Sequence, residues 1–148
     1  MIAYPITPDQ VRTMREFVRA HALTQPTDDM QCIGWFDPAT EKLLMVAAMN
    51  GFMGRICNIH IAMVPGFHFT PKAMLREVFA HAFDRLKLAK LVGLVNSNNT
   101  RAMRYDLHLG FVEEHRMPGM HDDGGDLVIL SMTRAQCRYL NLPALLAA

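Results

Sequence analysis

The sequence predicts an α+β fold in which a mixed central sheet joins an antiparallel meander to a strand-helix-strand crossover. Three observations point there. Residues 31–64 carry short period-two segments separated by turn signals. Residues 71–86 place apolar side chains at helical spacing. The apolar run Leu91 to Val95 is followed by an Asn cluster, a short helical stretch and Gly110-Phe111.

Taken in order, Thr7-Pro8-Asp9-Gln10 is a helix start. Thr7 can cap, Pro8 suits the first turn, and Gln10 completes a capping box. The helix should run to about Ala22 with Val11, Met14, Phe17 and Val18 on one face, and residues 24–29 form a polar loop. Cys32 to Phe36, Leu43 to Met49 and Arg55 to Val64 read as three strands, with the second reversal at Asn50-Gly51. In the third, Cys57, Ile59, Ile61 and Met63 share one face, and Asn58, His60 and Ala62 the other.

Thr70-Pro71 repeats the cap-then-proline device, so a helix should begin at Pro71. Its buried stripe is Met74, Leu75, Val78, Phe79, Ala82, Phe83 and Leu86. Leu91 to Val95 reads as a doubly covered strand, residues 100–109 as a helix stopped by Gly110, and Phe111 as the start of a strand. Residues 118–125 form a loop and residues 126–132 the closing strand. Thr133 and Gln136 make another capping box, opening a short terminal helix. The crossover should be right-handed.

The 148 residues fit one domain, 1–148, with a core at 31–138 and an abbreviated helical part at 1–30. A formal charge of +1 gives no electrostatic reason to invoke nucleic acid or an anionic membrane. No apolar run reaches the roughly 18 residues of a membrane span, and the first residues lack a signal-peptide pattern. Cys32, Cys57 and Cys137 form no pairing pattern and read as buried small hydrophobes in a reducing, cytoplasmic setting. His115, His121, Asp122, Asp123 and Asp126 match no zinc or calcium spacing; they read as a solvated acidic turn, with no metal.

Asn99 stands three residues before Ala102 and eleven before Gly110-Phe111. This spacing resembles the N-x-x-A…G-F signature of the GNAT acyltransferases, and the order of elements over residues 31–138 is similar to theirs. The resemblance implies an acyl-CoA cosubstrate, acetyl-CoA or another, and an amine acceptor. It implies that Asn99 lies near the pantetheine arm, where two parallel strands splay. Asn99 can equally serve as the cap of the helix beginning at Thr100.

In that family a loop of the form R/Q-x-x-G-x-G/A and the helix after it hold the CoA pyrophosphate on backbone N–H groups. Laid on this chain, the loop follows Met63 and Val64 and places His68 at the Arg/Gln position. Phe69 and Pro71 fall at glycine positions, and Ala73 at a later small position. Pro71 has no N–H, and Phe69 blocks close approach unless it turns away. The N–H groups of Lys72, Ala73 and Met74 and the Lys72 ammonium remain for a phosphate. The bland alternative is an ordinary strand-to-helix turn.

Many GNAT enzymes carry a tyrosine seven residues after the Asn, placed to protonate the leaving thiolate. Asp106 occupies that position and Tyr105 precedes it, about 100° away around a helix. The thioester oxygen would take a backbone N–H from Ile61 to Val64. His60 is the candidate base for the amine, with a structural histidine as the alternative; Glu113 and Glu114 could reach the acceptor side. Two functions therefore stand: an acyl-CoA-dependent N-acyltransferase, or a catalytically inactive GNAT-shaped binding or assembly protein, similar to small phage-encoded members. The apolar tail Leu140 to Ala148 offers a surface for homodimer packing.

Overall fold

The computed structural model describes residues 1–141. Seven strands form one sheet: β1 (Ile2–Ala3), β2 (Gln31–Phe36), β3 (Leu43–Met53), β4 (Ile56–Met63), β5 (Lys90–Asn96), β6 (Val112–Met117) and β7 (Leu127–Thr133). Their spatial order is β1-β2-β3-β4-β5-β7-β6. All neighbours are antiparallel except β4 and β5, which is the expected mixed sheet. Three helices pack on it: α1 (Pro8–Ala22), α2 (Lys72–Ala80) and α3 (Thr100–Leu109).

Local chemistry explains most boundaries. Thr7 and Gln10 exchange hydrogen bonds at the start of α1, so the capping box forms. Gly110 adopts φ 113° after α3, a conformation that favours glycine. The β3–β4 reversal falls at Gly54-Arg55 instead of Asn50-Gly51, and β3 runs four residues past Met49 to Met53. Gly51 (φ 62°) instead lies in the irregular pairing between Asn50 and Met53. The expected strand ending at Met49 is therefore too short, because the bulge absorbs the glycine without ending the ladder.

Two further expectations are corrected. Thr70 does not cap α2: Pro71 is the N-cap residue, and no side chain caps the helix. The helix continues as a π-helical turn, His81–Arg85, where Leu86 N–H reaches the His81 carbonyl at 2.9 Å. Thr133 and Gln136 do form reciprocal bonds of 2.9 and 3.3 Å, yet only turns follow, so the expected terminal helix is absent from the described residues. A capping box satisfies a helix start but does not supply the packing that propagates one. Most of the apolar tail, residues 142–148, lies outside the described residues, and with it the expected packing on a second copy.

The strands' alternation divides the core. Ile33, Met45, Ala47, Met49, Cys57, Ile59, Leu91, Leu130 and Met132 face α2 and α3, whose Met74, Val78, Phe79 and Leu109 complete the larger cluster. Val46, Ala48 and Ala62 face α1 with Met14 and Val18. The helix α1 packs on β2, β3 and β4, so the same face of β5, β7 and β6 leaves Leu94, Val112 and Met117 exposed. No helix among the described residues is long and apolar enough to cross a membrane.

Candidate functional site

The parallel pair is short. The strands β4 and β5 are in register only at Ile56–Lys90, Cys57–Leu91 and Asn58–Val92, after which both continue without pairing. Hydrogen-bond alternation says what faces the opening. Val64 N–H bonds the Leu44 carbonyl at 3.0 Å, so Ala62 and His60 also direct their backbone groups to β3. Those of Ile61 and Met63 therefore point away from β3, into the opening. Across it, Ser97 N–H bonds the Asp126 carbonyl at 2.9 Å, so Leu94 and Asn96 turn their backbone groups toward β4. An unpaired edge lies inside the sheet, lined by strand donors and acceptors from both sides.

This geometry trims the expected cofactor-binding set. Val64 gives its N–H to Leu44 and its carbonyl to Phe67 N–H at 3.2 Å, so neither group serves a ligand. Met63 keeps its backbone in the opening and its side chain against the α2–α3 core. Phe69 is 73% exposed, so it turns out of the loop instead of blocking it. The first intrahelical bond of α2 runs from Leu75 N–H to the Pro71 carbonyl at 3.2 Å, which leaves Lys72, Ala73 and Met74 at the N-terminal end. Lys72 and Ala73 are exposed there. A helix start without a cap or an acidic residue suits an anion.

Two contacts cross from this loop to α3. His68 Nδ1 lies 3.2 Å from an Arg101 guanidinium nitrogen, which donates to it. Thr70 Oγ1 lies 2.8 Å from Tyr105 Oη and 3.9 Å from Met63 Sδ. Tyr105 thus packs its ring on the core, yet brings its hydroxyl to the end of β4. Burial pushes the phenol up to about 12, against the lowering effect of Thr70. Asp106 faces β5, where its Oδ2 would lie 3.9 Å from a Cβ built on Gly93. Burial raises its carboxyl to about 6. Asn99 Oδ1 accepts Ala102 N–H at 3.1 Å, so the cap forms and its side chain is occupied.

His60 lies on the α1 face of β4 and Tyr105 and Asp106 on the α3 side of the sheet, so the opening separates the candidate base from the candidate acids. His60 Nε2 is 2.8 Å from Asn50 Oδ1, and burial lowers its pKa, keeping the ring neutral near pH 7. Glu113 and Glu114 of the edge strand β6 pair instead with Arg116 on the same strand and Lys90 of β5. Asp123 and Asp126 are also taken: Asn96 Nδ2 donates to both Asp123 oxygens at 3.1 and 3.0 Å, and Arg116 and Gly119 N–H hold Asp126 at 3.0 Å each. Among the described residues, no group of three or more His, Cys, Asp or Glu could hold a metal ion. Two surface depressions of about 520 and 180 Å³ lie along α1 and include no residue of the opening.

Comparison with known proteins decides the fold. No protein-family model and no curated protein sequence matches the chain. Among solved structures, the chain is similar to a point variant of spermidine N-acetyltransferase SpeG from Vibrio cholerae. The TM-score is 0.72 at 14% identity, covering 95% of this chain and 96% of that one. The same enzyme in complex with CoA and spermine matches with a TM-score of 0.71 at 14% identity, covering 95% and 98%. A chimera of it with hSSAT matches at 0.72 and 15% identity, covering 95% and 99%. The chain has the GNAT fold.

Within this GNAT fold, Thr70 and Arg101 are the contacts sequence reasoning missed. Arg101 did leave a signal: a cation in the first turn of α3 opposes the helix dipole, as Lys72 does in α2, and neither helix has an acidic residue there to offset it. Thr70 left a misleading one, since its cap-like position hides a hydroxyl that serves Tyr105.

Proposed function

We propose that the protein is an acyl-CoA-dependent N-acyltransferase that transfers an acetyl group to an amine by direct attack on the thioester. The observation that carries this reading is the opening between β4 and β5. An extended arm bearing amides can lie there as an added strand, matching the backbone groups of Ile61, Met63, Leu94 and Asn96. Its diphosphate would rest at the start of α2, on the N–H groups of Lys72, Ala73 and Met74 with the Lys72 ammonium beside it. Arg101 would turn from His68 to the phosphates, an anion being the stronger partner for a guanidinium. Asn99 supports this region by holding the start of α3.

The chemistry follows from the two sides of the sheet. The amine approaches from the α1 face, where neutral His60 takes its proton as the C–N bond forms. The C–S bond breaks toward α3, and a backbone N–H of Ile61 or Met63 steadies the charge on the thioester oxygen. Tyr105, protonated throughout the working range, hydrogen-bonds the departing sulfur. Its phenol is too weak an acid to protonate a thiolate of ordinary basicity outright. Asp106 has the lower pKa; its protonated fraction, minor at pH 7 and larger toward pH 6, supplies the proton the sulfur finally takes. Asp28 and Asp29, exposed in the loop before β2, favour a cationic acceptor. A polyamine is the first to try, since the structural neighbours named above are spermidine N-acetyltransferases. Three buried free thiols suit a cytoplasmic setting.

The test is a thermal-shift titration with acetyl-CoA, followed by an acetylation assay with spermidine and spermine. Ligand at about 100 times its Kd adds roughly 2.7 kcal/mol, which moves the midpoint by several degrees. A shift that Lys72→Glu abolishes supports the reading. No shift at millimolar acetyl-CoA sinks it and leaves the GNAT-shaped binding or assembly protein, phage-related or otherwise.

A further inference from the structure

His60 is held by a chain of hydrogen bonds that runs in one direction. The chain is anchored at Asp29, whose Oδ2 accepts Phe52 N–H at 3.1 Å and whose Oδ1 lies 2.5 Å from Thr27 Oγ1. A carboxylate only accepts, so Thr27 must direct its single hydroxyl proton there. Thr27 Oγ1 is then left to accept, and Asn50 Nδ2 donates to it at 3.0 Å. That turns Asn50 Oδ1 to His60 Nε2 at 2.8 Å, where an amide oxygen requires an N–H. The ring proton is thereby placed on Nε2 and the lone pair on Nδ1. The hydroxyl nearest Nδ1, Thr24 Oγ1 at 3.5 Å, has the Ala22 carbonyl at 3.2 Å for its own proton. Asn50 is buried, its side chain fixed between two partners.

We infer that Asp29, Thr27 and Asn50 form a polarised relay that sets His60 in its Nε2–H tautomer, leaving Nδ1 as the atom that takes the amine proton. The inference rests on the acyltransferase reading for the use of that proton, but the tautomer stands without it. All three are positioning residues: Asp29 lies three hydrogen bonds from the ring. The relay belongs to the α1–β2 loop and the β3 bulge, which brings one explanation to two features that otherwise look unrelated. Asn50 stands opposite Asn58 at the last regular position, diagonal to His60, and the irregular stretch after it gives Phe52 N–H to Asp29, the anchoring charge of the loop.

The decisive variant is Asp29→Asn. Its carboxamide oxygen can still hold Phe52 N–H while its nitrogen donates to Thr27. Thr27 is then free to donate to the Asn50 oxygen, and the Asn50 amide turns its nitrogen toward His60. The ring proton moves to Nδ1. Long-range proton–nitrogen NMR of His60 should therefore show Nε2–H in the unsubstituted protein and Nδ1–H in the variant. Spermidine acetylation should fall about tenfold or more in kcat, with KM for acetyl-CoA unchanged. A protein that starts in the Nδ1–H form, or a variant whose tautomer does not move, overturns the relay. If the tautomer reverses but neither protein acetylates any amine, the acyltransferase reading and the part of Nδ1 in it fall, while the relay stands.

Discussion

Asp106 is a residue whose chemistry and stability pull in opposite directions. Its carboxyl stands near 6 in the folded protein, raised by burial, against about 3.9 when unfolded. The folded state therefore binds the extra proton between those values, and stability falls as pH rises through that window. Above pH 6 the whole penalty applies: roughly two pK units, reduced by the solvent that still reaches the group, or about 2 kcal/mol. Asp106→Asn should raise urea stability by about that much at pH 7.5 and by nothing at pH 3.5, while slowing acetyl transfer. A gain equal at both pH values would place the carboxylate in water. Tyr105→Phe differs. It removes a hydroxyl bonded to Thr70, costs about 1 kcal/mol, and should lower kcat with KM for acetyl-CoA little changed. Much at this scale was legible in the sequence: period two placed His60 opposite Met63, and the spacing from Asn99 singled out Tyr105 and Asp106. What could not be read was which partner each hydroxyl or amide takes. Thr70 serves Tyr105 instead of α2, and Val64 gives its N–H to β3, because those choices belong to chain segments far apart in sequence.

Elements differ in how much of their limits is written locally. The helix α1 carries its own start signal, Thr7 with Gln10, and α3 both a start and a stop, Asn99 and Gly110, and both helices form where expected. The β3–β4 hairpin does not. Asn50-Gly51 is a turn signal in isolation, but pairing resumes at Met53–Ile56 and moves the reversal to Gly54. The start of α2 is the contrast that bears on function. Neither a side-chain cap nor an acidic residue steadies its first turn, and Lys72 adds a charge the dipole disfavours. Lys72→Glu should therefore stabilise the free protein slightly, by about 0.3–1 kcal/mol. The same change should weaken acetyl-CoA binding about tenfold or more by calorimetry. Loss of both stability and binding would mean that Lys72 holds the helix through contacts with other residues; unchanged binding would remove the phosphate from this site.

At the scale of the whole molecule, the single sheet has two halves joined by a short seam. One half is β1 to β4, with α1 on one face; the other is β5, β7 and β6. Between them, three register pairs hold one end and the other stands open, its backbone groups facing a gap. Between the other inner strands such groups are paired across long ladders, seven positions between β5 and β7 alone. Amides of Ile61 and Met63 therefore lack the strand partner that protects those of Ala62 and His60, and should exchange with solvent faster than these neighbours under native conditions. A ligand lying in the gap as an added strand would supply that partner. Acetyl-CoA should then slow exchange at Ile61 and Met63 and leave Ala62, already bonded to β3, where it was. It should also raise the melting midpoint by coupling the two halves through a bound molecule, in addition to the seam, the shared α2–α3 core and the contacts of His68 and Thr70 with α3. Protection spread evenly over the sheet, without the alternation along β4, would mean that the cofactor stabilises the fold from outside the opening.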